Sequence, residues 1–143
     1  MSANSRLTVA VHAVAWIGLH QRRGRGPATS EQIAGSAGTN PVVIRRLLGE
    51  LRRAGLVESG RGPGSGWTLT REPASISLLD VYDALGDEPL FGLHHGEPDP
   101  GCVIGGGIQP VLSRMYEHLG DVLRTELSRS TVEDVLSGIL VAR

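Results

Sequence analysis

Leu7, Ala10, Val11, Val14 and Ile17 recur three or four residues apart, which predicts a first helix from about Ser5 to His20. Gly24, Gly26 and Pro27 break that pattern. Ser30 then reads as the cap of a short helix, Glu31 to about Ala37, with Ile33, Ala34 and Ala37 on its apolar side. Gly38, Thr39 and Asn40 make a tight connection, and Pro41 fits the first turn of a third helix running to about Ala54. This helix has two distinct sides. Ile44, Leu47, Leu48 and Leu51 form one stripe; Val42, Arg45, Arg46, Gly49, Arg52 and Arg53 form the other.

Beyond Gly55 the period changes. Leu56 to Ser59 and Trp67 to Thr70 read as two short strands, joined by the glycine-rich tip Gly60 to Gly66. Ser77 caps a helix from Leu78 to about Leu85. Residues 87–107 hold several Gly and Pro and read as loop. Ile108, Leu112, Met115, Leu119, Val122 and Leu123 then predict a long helix to about Ser128, and Thr131 with Asp134 caps a last one. Three helices followed by a hairpin is the order of a winged helix-turn-helix, so the expected fold is mainly α with a small β-hairpin wing. The expected divisions are 1–86 for the winged helix, 87–107 for a loop with a sensor role, and 108–143 for a long dimerisation helix plus a C-terminal helix.

The charge changes this picture. The 143 residues carry 14 basic and 15 acidic side chains, a net of −1 that argues against a nucleic-acid partner. Resolved along the chain, residues 1–71 hold ten Arg against three Glu, a charge of +7. Residues 72–143 hold four Arg against twelve carboxylates, a charge of −8. The basic half coincides with the expected winged helix. Every Lys-or-Arg position is Arg, which removes lysine nucleophiles and the phosphate-loop lysine. Arg6 followed by the apolar stretch Leu7 to Leu19 has the outline of a secretory leader, but His12 interrupts it and no small-residue cleavage pattern follows. It is also too short to span a bilayer, so the expectation is a cytoplasmic protein without a membrane partner.

An outward arginine stripe fits a duplex groove, because guanidinium forks pair with guanine edges or with phosphates. Helix-turn-helix geometry favours Thr39, Asn40, Val42, Arg45 and Arg46 for base readout, while Arg52 and Arg53 fall where phosphate or an acidic protein would lie. Arg61 sits at the hairpin tip among glycines, placed to enter a narrow minor groove. The competing readings are a solvated arginine face and an ordinary glycine turn.

Gly55-Leu56-Val57, Arg61-Gly62-Pro63-Gly64-Ser65-Gly66-Trp67, Leu69, Arg71, Pro73, Ile76, Leu78 and Asp80-Val81 resemble the Rrf2 family of bacterial transcription regulators. Thr39-Asn40-Pro41 is similar to its helix-turn-helix, and the likeness runs from about Leu7 to Leu127. The resemblance implies a homodimeric winged-helix regulator of double-stranded DNA, with the long C-terminal helix at the dimer interface. It places the start of the recognition helix at Asn40, Pro41 and Val42, and the wing's groove contact at Arg61. The candidate DNA-binding set is Ser30, Thr39, Asn40, Pro41, Val42, Arg45, Arg46, Arg61, Gly62, Gly64 and Ser65. The expected activity is repression at a partly palindromic operator, responsive to a redox signal or a small molecule.

One departure from the family is plain. Several members hold an iron–sulfur cluster through three cysteines before the long helix, whereas this chain has only Cys102. No cofactor is therefore expected. Cys102 reads either as a redox-sensing thiol or, more readily, as a buried inert one, and Glu97 and Asp99 would raise its pKa if the fold brings them close. His94 and His95 with Cys102 match no strong zinc spacing. Two other classes compete with a regulator: a winged-helix protein-interaction module without specific DNA binding, and a small enzyme built on His94, His95 and Cys102, which lacks an assignable orienting carboxylate.

Overall fold

In the computed structural model, which describes residues 3–86 and 88–142, six helices and one two-stranded sheet follow in the order α1 (Ala3–Arg22), α2 (Ser30–Ala37), α3 (Pro41–Arg53), β1 (Val57–Ser59), β2 (Trp67–Leu69), α4 (Leu78–Ala84), α5 (Val103–Ser128) and α6 (Val132–Val141). A single 3-10 turn, Pro73–Ser75, precedes α4. Asp87, where the expected sensor loop opens, and Arg143 lie outside the described residues.

The core gathers on α1. Ala10, Ala13, Val14 and Ile17 are fully buried there, with Ile33 of α2, Ile44, Leu48 and Leu51 of α3, and Val57 at the start of the wing. Small alanines let the neighbouring helices approach closely, and each large side chain buried contributes about 1.5–3 kcal/mol. The α3 stripe behaves as its spacing requires: Ile44, Leu47, Leu48 and Leu51 are buried, while Val42, Arg45, Arg46, Arg52 and Arg53 are exposed.

The wing is antiparallel, pairing Val57 with Leu69, Glu58 with Thr68 and Ser59 with Trp67. Hydrogen bonds tie it to the preceding segments. Trp67 and Ala28 exchange backbone hydrogen bonds of 2.7 and 3.0 Å, and the Leu69 N–H donates to Gln21 Oε1 at 2.8 Å. Gly66 permits the first of these. Its φ is +76°, and a Cβ there would come within 2.8 Å of the Ala28 carbonyl oxygen.

Three details differ from the sequence expectations. Thr29, not Ser30, caps α2: its hydroxyl accepts from the Gln32 N–H, and Gln32 Oε1 accepts from the Thr29 N–H. A reciprocal box satisfies two orphan donors, which a lone serine cap cannot. Next, α5 begins at Val103 rather than Ile108, so the Gly-rich stretch through Gly107 is helix and the loop ends sooner. The Gly106 N–H donates to Cys102 O at 2.8 Å, closing that first turn despite its glycines. Finally, α6 does not accompany α5. It packs back on α1, burying Val132 and Leu136 in the core of the winged helix. A short bridge between Ser77 and Thr131 and an ion pair from Arg22 to Glu133 join it there.

By contrast, α5 has no buried residue. Its 26 residues extend about 39 Å, with α4 packed beside it. Ile104, Val111, Met115, Leu119 and Val122 are all exposed, spaced mostly three and four apart.

Candidate nucleic-acid interface

The helix-turn-helix is held by its own chemistry. Gly38 ends α2 in the left-handed region at φ +67°, and its N–H returns to Ala34 O. Asn40 then caps α3, with its Oδ1 accepting from the Val42 N–H at 2.8 Å. Pro41 takes the first helical position, where no N–H is needed. Two turns of opposite requirement thus fit into three residues and set the α3 axis across α2.

The expected readout residues separate into groups. Asn40, Val42, Arg45 and Arg46 are exposed, whereas Thr39 and Pro41 are half-buried. The Asn40 carbonyl oxygen is spent on the cap, which leaves its amide N–H₂ as the group free to donate. Arg45 donates from Nη2 to Glu31 Oε1 at 2.7 Å. Arg46 and Arg61 have no hydrogen-bond or ion-pair partner among the described residues.

A cleft of about 300 Å³ opens between the start of α2, α3 and the wing. Ser30, Arg45, Gly62, Gly64 and Ser65 line it together with Glu31 and Trp67. Arg46 faces a separate cleft of about 620 Å³, shared with Arg6 and Arg53. The candidate set therefore flanks two sides of one exposed helix edge rather than a single pocket, as expected of a surface that meets an extended polymer.

Ser30 is placed differently from the expectation of a surface contact. It is buried, and its Oγ accepts from Trp67 Nε1 at 3.2 Å, so its hydroxyl serves the junction of wing and α2. Arg52, though exposed, turns toward the wing: its guanidinium carbon lies 5.9 Å from the Trp67 ring centroid and Nη1 donates to Ser59 Oγ. Arg53 stays exposed. At the wing tip Arg61, Gly62 and Gly64 are exposed, and Ser65 Oγ donates to Gly62 O at 2.7 Å, closing the turn. Glu31 was not among the sequence candidates. Its signal was weak, a single carboxylate in a strongly basic segment.

Glu31 sits below the usual carboxylate range, first because a backbone N–H at the start of α2 donates to it, then because Arg45 does. Cys102 differs from both parts of its expected reading. It is exposed, it stands at the N-terminal cap of α5, and its thiol lies below the ordinary value because the N–H groups of Gly105 and Ile104 favour the thiolate. His94 and His95 are exposed in the loop, and among the described residues no three His, Cys, Asp or Glu side chains gather to hold a metal. Nor is any described helix long and apolar enough to cross a membrane.

Comparison with known proteins places these features. Residues 3–138 match the Rrf2 family, described as iron-dependent transcriptional regulators. The chain is 38% identical over 136 residues to YwnA of Bacillus subtilis, assigned as an HTH-type transcriptional regulator, covering 94% of this chain and 96% of YwnA. Among solved structures, one described as a DNA-binding protein is 34% identical, with a TM-score of 0.71 over 92% of this chain and 98% of its own. IscR of T. potens is 25% identical, with a TM-score of 0.72 over 100% of this chain and 90% of its own. Iron–sulfur clusters are held by several thiolates, and the sequence has one, Cys102, which is exposed and, among the described residues, belongs to no group of three His, Cys, Asp or Glu side chains.

Proposed function

The chain belongs to the Rrf2 family of transcriptional regulators, and we propose that it binds a partly palindromic operator as a homodimer and represses from it in the cytoplasm. In this reading α3 of each copy enters a major groove, with Asn40, Val42, Arg45 and Arg46 toward the base edges, and the Arg61 tip of the wing follows the adjacent minor groove. The observation that carries it is the solvent side of α3: Arg45 and Arg46 stand exposed outside the buried Ile44–Leu51 stripe, with a wing-tip arginine that has no internal partner among the described residues.

A second copy is supported by α5. A helix of 26 residues with no buried side chain and an apolar stripe exposed along it loses that surface from water when it pairs with another. Two recognition helices related by a two-fold axis read half-sites about one helical turn apart, which is why a palindrome follows from the symmetry.

Salt dependence tests it against a protein-interaction module. A dimer neutralising six or more phosphates loses about a thousandfold in affinity between roughly 50 and 200 mM salt. Arg46→Ala is expected to weaken the specific duplex more than a random one, and Arg61→Ala to weaken duplexes with A·T-rich flanks most. Flat salt dependence, or no duplex binding at low salt, overturns the proposal.

A further inference from the structure

A carboxylate stands within the basic face. Glu31, in the first turn of α2, accepts from Arg45 Nη2 at 2.7 Å, with the two side chains 65% and 51% exposed. An exposed pair of this kind contributes little to folding. Nor does α2 need it as a cap, because Thr29 and Gln32 already supply a full box. Against DNA a carboxylate costs affinity, since it faces the phosphates with its own charge. Its position calls for a use that offsets this cost.

We propose that Glu31 is a positioning residue that aims the Arg45 guanidinium at a guanine edge and keeps it off the phosphates. This rests on α3 being the recognition helix. The link joins the two helices of the helix-turn-helix, so the direction of the Arg45 fork is fixed relative to both. Only Nη2 is engaged, and the remaining N–H groups are enough for a bidentate contact to O6 and N7. Arg46, one residue on, shows the contrast: it has no such partner among the described residues and is free to follow whichever acceptor lies nearest. Glu31 stays ionised at neutral pH, held there by the α2 backbone N–H and by Arg45. A fixed negative charge beside Arg45 penalises a phosphate more than an uncharged base edge, so the pair converts affinity into discrimination.

The experiment selects bound duplexes from a random library with the full-length wild type, Glu31→Gln and Arg45→Ala, and then measures each protein on the wild-type consensus and on a random duplex across salt. Glu31→Gln keeps an acceptor of the same shape and removes the charge. Thermal melts confirm that the variants fold, as the exposure of both side chains predicts. The wild-type profile should contain a guanine position that Arg45→Ala loses. Glu31→Gln should weaken the preference at that same position by about fivefold or more. It should also bind random duplex more tightly, with a salt slope steeper by about one phosphate. A purely structural role would lower binding to both duplexes alike and leave the base profile unchanged. An unchanged profile in Glu31→Gln overturns the positioning role, whatever happens on random DNA. A wild type that binds duplex but selects no sequence overturns the underlying reading of α3 instead.

Discussion

Gly66→Ala isolates the contact that holds the wing to the helix-turn-helix. Placing a Cβ on a backbone at φ +76° costs about 1–2 kcal/mol. That Cβ would also stand 2.8 Å from the Ala28 carbonyl oxygen, a backbone atom with no rotamer to relieve it. The same oxygen accepts the 2.7 Å bond from the Trp67 N–H, and displacing it costs about 1 kcal/mol more. Reduced freedom of the unfolded chain returns about 0.4–1 kcal/mol. The net is a loss of about 2 kcal/mol, or roughly 4–8 °C in Tm for a chain of this size. Gly64→Ala is the control. Its φ is +74°, but nothing lies within 4 Å of its Cβ, so strain alone acts and the loss is about 1 kcal/mol or less. Thermal unfolding followed by circular dichroism, at one fixed protein concentration, separates the two. Equal shifts for the two variants would refute the claim that the Ala28 contact anchors the wing.

Three further outcomes follow from the same geometry. Leu136→Ala should cost about 2–5 kcal/mol in denaturant unfolding, because α6 is part of the core; a loss below about 1 kcal/mol would detach it. Met115→Glu, at an exposed position on the α5 stripe, should shift the protein to a monomer in sedimentation velocity while the Tm of the winged helix changes little, and a persistent dimer would place the interface elsewhere. Alkylation of Cys102 should reach half its maximal rate at a lower pH in the folded protein than in denaturant, since the folded state favours the thiolate; coincident profiles would contradict the role of the Gly105 and Ile104 N–H groups.

Periodicity revealed most of the winged helix, because a buried stripe leaves a clear trace. Ile44, Leu47, Leu48 and Leu51 announce one side of α3, and the arginines between them announce the other. The boundaries were harder to read. Thr29 and Ser30 are both good caps, and only the Gln32 partner three residues after Thr29 distinguishes them. Val103 to Gly107 holds three glycines, poor helix formers, yet it is helical, with Gly105 and Gly106 set close against the Asp99 and Pro100 backbone of the preceding loop. Tertiary placement left the least trace. Nothing local in Val132 to Val141 says that this helix returns to α1, and nothing in Arg45 says that Glu31, fourteen residues upstream, will hold it. The same limit applied to Ser30, whose hydroxyl is claimed by a tryptophan 37 residues away. Cys102 was misread because a thiol's pKa follows the N–H groups above it rather than the carboxylates near it in sequence.

Two copies of this chain reading symmetric DNA is the arrangement that the charge, the exposed α5 stripe and the α3 face lead to. Sequencing the duplexes that the full-length protein retains from a random library, at salt high enough to suppress phosphate-only binding, measures this directly. The prediction is an enriched inverted repeat with half-site centres about 10 base pairs apart and guanine within each half-site. Retention of duplex with no enriched motif, or an enriched motif without two-fold symmetry, would contradict it.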